Sequence, residues 1–339
     1  MQKKIAVVIL NYNGKNWLEK FLPSVLEHSS DLADIIVADN LSTDDSVQFL
    51  NSNYPSIELI RIKENKGYAG GYNAALKEID YPYFVLLNSD IEVAENWLKP
   101  QLELLENNQD IAACQPKIRS YNDKEYFEYA GAAGGYIDYL GYPFCKGRIF
   151  SSLEKDLQQY EEPTDIFWAS GAALFIRSSV FWEAGGLDER YFAHMEEIDL
   201  CWRIKNLGYR IHYCPQAMVY HVGGGTLDAE NPKKTYLNFR NSLATLAKNL
   251  PRNKKVPIIF TRLVLDGVAA VLFLSEGKFK HISAIIRAHF SFYAMLPYLL
   301  KNGDKAKNYP DQVYRRSMVK EFFIHKKHTF DKLNSKKWY

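Results

Sequence analysis

A short apolar segment that stops on three polar residues limits most strongly how this chain can fold. Residues 83–87 are apolar, and Asn88, Ser89 and Asp90 follow them at once. An apolar run of this length, without helical caps and bounded by turn-forming residues, predicts a buried parallel strand. Asp90 would then lie just beyond the carboxyl end of that strand, where open α/β sheets bind their ligands.

The same pattern occurs earlier in the chain. Residues 5–10 are apolar and lead to Asn11 and Asn13, and residues 35–38 lead to Asp39 and Asn40. Segments with helical periodicity separate these runs, and a third strand is expected over residues 57–62. The alternation predicts an α/β fold with a mainly parallel sheet and helices on both faces. Polar residues from several strand ends should therefore meet at one rim.

A glycine-rich segment, residues 65–73, follows the third strand and should lead into a helix over residues 74–79. It contains Lys66 and Asn73. Glycines let a backbone approach a ligand closely, and a helix N-terminus offers free N–H groups to phosphate. The spacing matches neither the dinucleotide nor the triphosphate motif, so a plain turn explains the segment equally well.

Asp90 is the first candidate metal ligand. A divalent cation held by one or two protein carboxylates usually completes its shell with substrate phosphates. The alternative is that residues 88–90 form only a turn and a helix N-cap. Four strand ends with polar or glycine-rich clusters favour a ligand site, with Mg²⁺ or Mn²⁺ as the expected cofactor.

A second acidic cluster, Glu196 and Glu197, opens a helix that should end near residue 208. Acids in a first helical turn gain from the helix dipole, but one would suffice for that purpose. Asp199 and Arg203 are spaced to pair across one turn, and an ion pair is the favoured role for Asp199. His221 follows a predicted edge strand, residues 209–219, and begins a glycine-rich loop that runs to residue 226. Metal ligation and an ordinary polar contact both remain open for it.

Residues 111–163 are rich in Tyr and Gly and show no sustained periodicity. We expect loops or short antiparallel strands there that shape an acceptor pocket, although the aromatic residues could equally serve packing. A strand predicted over residues 168–176 begins with small residues. Trp168 and Gly171, at its start, are the acceptor-site candidates.

Taken in order, these motifs resemble those of family 2 glycosyltransferases. The similarity covers about residues 3–226 and is to the bacterial rhamnosyltransferase-like branch. The segments that carry it are residues 5–14, 37–44, 65–73, 86–90, 170–172 and 192–203, together with His221. The resemblance implies a GT-A fold, a nucleotide-sugar donor, a divalent cation and inversion at the anomeric carbon.

The resemblance also implies roles for single residues. Asp39 would contact the pyrimidine base, Lys66 and Asn73 the ribose and diphosphate, and Asp90 the metal. Glu197 would occupy the place of the general base, and His221 would add a metal or diphosphate contact. The expected nucleotide-sugar site also includes Asn11, Asn13, Asn40, Asn88 and Ser89.

The chain departs from the family pattern at two positions. Asn88 stands where the metal motif usually begins with Asp, which leaves one charge fewer on the cation. Both residues of the base motif are Glu, whereas the second is commonly Asp. The sequence therefore leaves open whether Glu196 or Glu197 is the base.

The carboxyl-terminal third differs in charge from the rest. Residues 248–339 carry 19 Lys/Arg and 6 Asp/Glu, a net charge of +13, against 23 and 34 before them, a net of −11. This asymmetry predicts a basic region that meets an anionic surface. Nucleic acid and the inner leaflet of a membrane both qualify, but the chain lacks a basic-aromatic module for nucleic acid.

Two apolar stretches, residues 256–274 and 282–300, lie in this region. A spanning helix needs about 20 mainly apolar residues, and a central charge costs roughly 2.5–3.5 kcal/mol. Arg262 and Asp266 interrupt the first stretch and Arg287 the second. We therefore expect an amphipathic hairpin that lies on an anionic membrane. The alternative is a helical appendage packed on the catalytic domain or on a second subunit.

The sequence thus predicts a catalytic domain over residues 1–226, a connecting helix over 227–250 and a basic, amphipathic helical region over 251–339. The expected function is inverting transfer of one sugar, with rhamnose a candidate, from a UDP- or dTDP-sugar to a glycan or polyprenyl-linked acceptor. The alternative is a non-catalytic nucleotide-sugar or glycan-binding protein. Four cysteines without paired spacing, and no secretory signal, favour a cytoplasmic enzyme, peripheral at the inner face of the plasma membrane and potentially a homodimer.

Overall fold

The computed structural model describes residues 3–223, 231–303 and 308–339. The helices in these ranges are α1 (Lys15–Ser29), α2 (Ser46–Asn53), α3 (Gly67–Leu76), α4 (Lys99–Asn107), α5 (Ser178–Glu183), α6 (Glu196–Asn206), α7 (Pro232–Asn249), α8 (Arg252–Ser275) and α9 (Phe279–Lys301). The strands are β1 (Ile5–Asn11), β2 (Ala33–Asp39), β3 (Glu58–Arg61), β4 (Tyr83–Asn88), β5 (Ile91–Val93), β6 (Ile111–Ser120), β7 (Gly135–Asp138), β8 (Pro143–Cys145), β9 (Arg148–Ile149), β10 (Ser152–Leu153), β11 (Thr164–Ile166), β12 (Ala173–Arg177), β13 (Arg210–His221) and β14 (Val313–Tyr314).

A large sheet with the strand order β11-β13-β6-β12-β4-β1-β2-β3 forms the centre of the molecule, and β5 pairs with β13. The four strands β3, β2, β1 and β4 are parallel neighbours, as predicted. Strand β12 runs antiparallel between β4 and β6. The sheet is therefore parallel in its first half and mixed beyond β4.

Strand β1 shows why the core lies on both faces of the sheet. Val7 and Ile9 pack in the apolar cluster that includes Leu18 of α1, whereas Val8 packs in the cluster that includes Tyr72 of α3. Successive side chains of a strand point to opposite faces, so a strand covered by helices on both sides needs apolar residues at every position. The uninterrupted apolar runs of the sequence reflect this double coverage.

The register of the parallel strands brings their polar ends together. Asn11 at the end of β1 pairs with Asp39 at the end of β2, and Leu10 pairs with Asn88 at the end of β4. The predicted common rim is thus confirmed.

The glycine-rich segment is helical, which the sequence interpretation missed. Helix α3 begins at Gly67, not at residue 74 as predicted. A Cβ atom on Gly71 would lie 2.8 Å from the Leu10 side chain, and one on Gly70 would lie 2.7 Å from Lys66 Cβ. Gly70 and Gly71 therefore permit close packing of α3 against Lys66 and against strand β1, and they do not form an open loop.

The predicted edge strand is wrong. Strand β13 lies within the sheet, with β6 parallel on one side and β11 and β5 antiparallel on the other. Its partner β6 is a buried strand of ten residues at the start of a region predicted to be irregular. His212 of β13 is buried beside Asp165 of β11, which covers the strand on that side.

Helices α8 and α9 form a hairpin that packs on α7. Arg262 of α8 is buried, and its guanidinium donates to the Leu140 carbonyl at 2.9 Å. Asp266 is also buried and pairs with His289 of α9 at 3.0 Å. The two charges that argued against a membrane-spanning α8 therefore point into the protein.

The outer side of the hairpin is apolar. Among the described residues, α8 alone is long and apolar enough to cross a membrane, by length and composition only. Twelve large hydrophobic side chains of the hairpin are exposed: Val256, Phe260, Val264, Val268, Val271, Leu272, Leu274, Phe279, Ile286, Phe290, Tyr293 and Leu300. We call this set the hairpin face.

Residues 308–339 fold back onto the chain instead of continuing the helical region. Strand β14 pairs with β7, and Trp338 packs against Tyr136 and Tyr314 with ring centroids 5.2 and 5.0 Å apart. This segment therefore packs on the small sheet formed by β7 to β10. The predicted domain boundary at residue 226 lies outside the described residues, and the three-part division stays a prediction.

Candidate active site

Asp39 lies buried at the rim, between the carboxyl end of β1 and the loop after β2. Its Oδ1 accepts a hydrogen bond from Asn11 Nδ2 at 3.3 Å, and its Oδ2 accepts one from the Ser42 backbone N–H at 3.1 Å. Each carboxylate oxygen has about two acceptor sites. The carboxylate is thus held in place and can still accept a hydrogen bond from a ligand, such as a base N–H.

Asn13 and Asn40 hold the loops around this carboxylate. Asn13 Oδ1 accepts from the Thr43 N–H at 2.6 Å. Asn40 donates to the Gly67 carbonyl at 3.0 Å and accepts from the Lys66 N–H at 3.1 Å. Both side chains therefore shape the rim through the backbone. The ammonium of Lys66 lies near the surface, 3.3 Å from Glu64.

Asn73 connects α3 to the segment before the second acidic cluster. It is buried, donates to the Leu187 carbonyl at 2.7 Å and to Glu189 at 3.2 Å, and accepts from the Leu187 N–H at 3.0 Å. These three bonds use most of the hydrogen-bonding capacity of its amide. The geometry supports a positioning role, and the predicted diphosphate contact stays a prediction.

Asp90, Asn88 and His221 come together at the end of β4. His221 Nε2 lies 3.2 Å from Asp90 Oδ1 and 3.4 Å from Asn88 Nδ2. On the other side of the ring, Nδ1 lies 3.2 Å from the Glu128 carboxylate. Asp90, His221 and Glu128 are buried. Glu128 was not anticipated from the sequence. Ser89 is half-buried beside Asn88.

The charges in this cluster are mutually dependent. Burial lowers the pKa of His221, but the carboxylates of Glu128 and Asp90 outweigh it and raise the pKa to about 10. Burial raises the pKa of Asp90, but the positive imidazole outweighs it and lowers that pKa. The imidazole of His221 thus lies between the carboxyl groups of Asp90 and Glu128.

The same residues fit a divalent cation. In an octahedral shell with bonds of about 2.1 Å, adjacent ligand atoms lie about 3 Å apart. The distance of 3.2 Å between Asp90 Oδ1 and His221 Nε2 matches that spacing. Within the described part of the chain, no three His, Cys, Asp or Glu side chains form a complete metal site. Bound phosphate oxygens and water would have to complete the shell.

Glu196 and Glu197 begin α6 and differ in exposure. Glu196 is buried, whereas Glu197 is partly exposed. Burial raises the pKa of Glu197 to about 7, and burial together with the charge of Glu197 also raises the pKa of Glu196. One carboxylate of the pair can thus ionise near neutral pH while the other keeps its proton.

The backbone before the two glutamates is strained. Phe192, His194 and Met195 have φ angles of 66°, 70° and 72°, which non-glycine residues rarely adopt. Such conformations cost about 1–3 kcal/mol each and persist only where surrounding contacts impose them. The Phe192 carbonyl accepts from the Tyr68 N–H at 2.7 Å, which ties this segment to α3.

A match to a known family identifies the class of protein to which the chain belongs. The family model described as Glycosyl transferase family 2 matches residues 6–185, more than half of the chain. The chain belongs to glycosyltransferase family 2. It is a glycosyltransferase, and its donors are nucleotide sugars.

Curated relatives include several transferases. The N-acetylglucosaminyl-diphospho-decaprenol L-rhamnosyltransferase of Mycobacterium tuberculosis is 28% identical over 65% of this chain and 76% of its own length. The low-salt glycan biosynthesis hexosyltransferase Agl10 of Haloferax volcanii is 25% identical over 84% of this chain and 90% of its own length. The rhamnosyltransferase WbbL of Escherichia coli is 23% identical over 64% of this chain and 83% of its own length. Rhamnosyltransferases are thus among its relatives.

Solved structures support the GT-A fold. The mannosyltransferase PcManGT of Pyrobaculum calidifontis, solved with GDP-Man and Mn²⁺, aligns with a TM-score of 0.52 at 14% identity, over 86% of this chain and 88% of that chain. GalNAc-T7, solved with UDP, GalNAc and Mn²⁺, aligns with a TM-score of 0.56 at 17% identity, over 72% of this chain. This glycosyltransferase spans 47% of the length of GalNAc-T7.

Helix α7 of the glycosyltransferase supports the strained segment. Asn241 Nδ2 donates to the backbone carbonyls of Tyr191, Ala193 and His194 at 3.0, 2.9 and 2.7 Å. The sequence interpretation treated α7 only as a connecting helix. Asn241 is fully buried and lies 44 residues beyond Glu197 in the chain, so only the fold places it beside the segment that leads into the two glutamates.

The two acceptor candidates, Trp168 and Gly171, have different surroundings. Gly171 accepts a hydrogen bond from the Tyr68 hydroxyl at 2.5 Å, and a Cβ there would lie 2.6 Å from that oxygen. The charges of Glu196 and Glu197 contribute to the raised pKa of Tyr68, after burial and Tyr72. Trp168 is buried, and its indole N–H donates to the Tyr136 carbonyl at 3.0 Å. Gly171 is therefore linked to the glutamates through Tyr68, whereas the Trp168 side chain supports the core.

Proposed function

We propose that this glycosyltransferase is a metal-dependent, inverting enzyme. It transfers one sugar from a UDP- or dTDP-linked donor, with L-rhamnose the first candidate, to a hydroxyl of a lipid-linked glycan precursor. The observation that carries the proposal is the pairing of Asp90 with His221 at the rim that also holds Asp39. The names of the relatives support the sugar and the acceptor, since one is a rhamnosyltransferase named for a decaprenol-linked substrate.

The donor site is divided between two clusters. Asp39 would accept a hydrogen bond from the pyrimidine base, and Asp90 and His221 would hold a cation, Mg²⁺ or Mn²⁺, against the diphosphate. When bound, the cation would neutralise the negative charge that builds on the leaving phosphate. Asn88 contributes a neutral amide where a carboxylate is usual, so the site carries one negative charge fewer.

Glu197 is the proposed general base. A sugar hydroxyl is too weak an acid to attack unaided, so a carboxylate must accept its proton as it attacks. Glu197 is partly exposed and its pKa of about 7 suits a base that works near neutral pH. Glu196 is buried, and its raised pKa keeps it protonated beside an ionised Glu197. Direct attack opposite the leaving diphosphate inverts the anomeric centre.

The hairpin face supports action at a membrane, at the inner face of the plasma membrane. Its apolar side chains are flanked by basic residues, which are worth about 1 kcal/mol each beside anionic lipid. These flanking residues are Arg252, Lys254, Lys280 and Lys301. A second subunit is the competing partner for this face, and homodimer formation therefore stays an alternative for the same surface.

A second exposed apolar pair is connected to α8 through a series of ring contacts. Phe323 and Ile324 are 50% and 67% exposed, and the exposed basic side chains Lys320 and Lys326 flank them. The Phe323 ring lies 5.4 Å from Phe150. Phe150 in turn lies 6.2 Å from Tyr142, which stacks with Arg262 of α8. An apolar pair with a basic surround suits the boundary between lipid headgroups and acyl chains.

The experiment is release of nucleoside diphosphate from a panel of UDP-, dTDP- and GDP-sugars, with and without Mn²⁺ or Mg²⁺. Wild type is compared with Asp90→Ala and with Asp31→Ala, an exposed carboxylate that serves as control. Slow hydrolysis of the donor by water is the readout without an acceptor. We expect metal-dependent release from one donor, lost in Asp90→Ala and retained in Asp31→Ala.

Two results would overturn the proposal. Release of nucleoside diphosphate that is equally fast in EDTA would contradict metal dependence. A product that NMR shows to have the retained anomeric configuration would contradict the inverting mechanism. Binding of a donor without turnover, even with polyprenyl-linked acceptors, would favour a non-catalytic nucleotide-sugar or glycan-binding protein.

A further inference from the structure

Glu128 has no role in the proposed donor or acceptor contacts, yet it lies buried in the candidate metal cluster. It belongs to the segment after β6, and its backbone N–H donates to the Ile118 carbonyl at 3.1 Å. Its Oε2 accepts from the Ala130 N–H at 2.5 Å. The carboxylate is therefore held in one orientation by its own segment, and that orientation places it 3.2 Å from His221 Nδ1.

The imidazole of His221 faces two acids with its two nitrogens. Nε2 faces Asp90 and Asn88, whereas Nδ1 faces Glu128. Nδ1 is buried and makes no hydrogen bond of good angle within the described residues, although the carboxylate is close enough for an ion pair. A buried N–H that lacks a straight hydrogen bond is unfavourable, so the short distance between Nδ1 and the Glu128 carboxylate is the main compensation on this side of the ring.

We propose that Glu128 is a positioning residue for the metal ligand His221. It accepts the Nδ1 proton, which fixes the tautomer that presents the Nε2 lone pair to a cation beside Asp90. A carboxylate that orients a ligating histidine in this way also raises the basicity of the ligand. The inference deepens the proposed function and rests on it, because it requires that His221 ligates the cation.

The surrounding backbone supports this arrangement. Gly223 has a φ of +72°, and a Cβ there would lie 2.6 Å from Glu128 Oε1. The Val222 N–H donates to the Asp90 carbonyl at 3.1 Å. A side chain at residue 223 would thus displace the Glu128 carboxylate. Glycine at this position leaves room for that carboxylate. Removal of the carboxylate should weaken metal binding without touching the cation directly.

The test is the affinity for Mn²⁺ alone and for Mn²⁺ with UDP, measured by electron paramagnetic resonance of free Mn²⁺. We expect Glu128→Leu to weaken Mn²⁺ binding about 10- to 100-fold, the range found when partners of ligating histidines are removed. Glu128→Gln keeps an acceptor oxygen and should lose less. Glu125→Gln, an exposed glutamate three residues away, is the control and should bind like wild type.

A double-mutant cycle separates positioning from general destabilisation. If Glu128 acts through His221, Glu128→Leu should add little to the loss already caused by His221→Ala. An equal loss in both backgrounds would overturn the inference, as would Mn²⁺ affinity of Glu128→Leu within twofold of wild type. If Asp90→Ala and His221→Ala also bind Mn²⁺ like wild type, the proposed metal site itself fails.

Discussion

Lys248 Nζ lies 2.9 Å from Asp199 Oδ2, which joins the end of α7 to the first turn of α6, the helix that carries the two glutamates. The same ammonium lies 2.8 Å from Asp188, and Arg203 pairs with Asp199 at 2.8 Å. The four side chains in these three ion pairs are largely buried. The predicted pair between Asp199 and Arg203 is confirmed, and its role is to anchor the helix that carries the two glutamates.

Lys248→Met should therefore destabilise the protein strongly. Removing one partner of a buried ion pair leaves an uncompensated charge and typically costs 3–5 kcal/mol. Two carboxylates, Asp188 and Asp199, would lose their ammonium. Urea unfolding followed by circular dichroism measures the change, with Lys254→Met, an exposed lysine in α8, as control. A loss below about 1 kcal/mol in Lys248→Met would show that the anchor is not structural.

Asn241→Leu should reduce turnover more than donor binding. The side chain holds three carbonyls of the segment that leads into Glu196, and a displacement of about 1 Å at a catalytic group can cost 10²-fold in rate. We expect kcat to fall about 10- to 100-fold with a small change in donor KM. Asn238→Leu on the same helix is the control. Equal effects of the two variants would contradict a specific role for Asn241.

Glu197→Gln and Glu196→Gln should differ in their effect on catalysis. Loss of a general base typically costs 10²–10⁴ in rate, so Glu197→Gln should lower kcat by that amount while donor affinity is kept. Glu196→Gln replaces a protonated acid by an amide of the same shape and should lower kcat less than tenfold. Steady-state kinetics with saturating Mn²⁺ provides the comparison. The opposite order would assign the base to Glu196.

The pH dependence of catalysis follows from the pKa of Glu197. Because this pKa is raised to about 7 and the base must be ionised to act, kcat/KM should rise with pH and level off above pH 7. At pH 6 the rate should be about tenfold below its plateau. The assay uses saturating Mn²⁺, because a cation on the proposed ligand His221 would prevent its imidazole from titrating. The residual activity of Glu197→Gln should not rise with pH in this range. A rise that persists in this variant would show that a group other than Glu197 titrates.

Charges on the hairpin face should abolish membrane association. Val264 and Val268 are both 53% exposed, so Val264→Glu with Val268→Glu should leave folding intact. Co-sedimentation with vesicles of anionic phospholipid should be lost in the double variant. It should be retained in Leu157→Glu, which alters an exposed leucine outside the hairpin. The opposite outcome is that wild type is a dimer, the double variant is a monomer and neither binds vesicles. That outcome would assign the hairpin face to a second subunit.

Much of the rim was predictable because it depends on local order in the chain. An apolar run followed by Asn88, Ser89 and Asp90 predicts a strand and what lies past its end, and parallel strands place their carboxyl ends together. The register of Asn11 with Asp39 confirms that expectation. The sequence alone therefore determined the α/β alternation, the family and the rim where a nucleotide sugar would bind.

The remaining features depend on contacts between distant parts of the chain. Asn241 meets His194 across 47 positions, and Glu128 meets His221 across 93. Periodicity did not show that α3 begins at Gly67, because its glycines answer to contacts with other elements. The space at Gly71, for example, is limited by Leu10 of strand β1. Only the tertiary structure decided that Arg262 and Asp266 face inward and that Glu197 is the more exposed glutamate, since burial is a property of packing between elements and not of the order of residues.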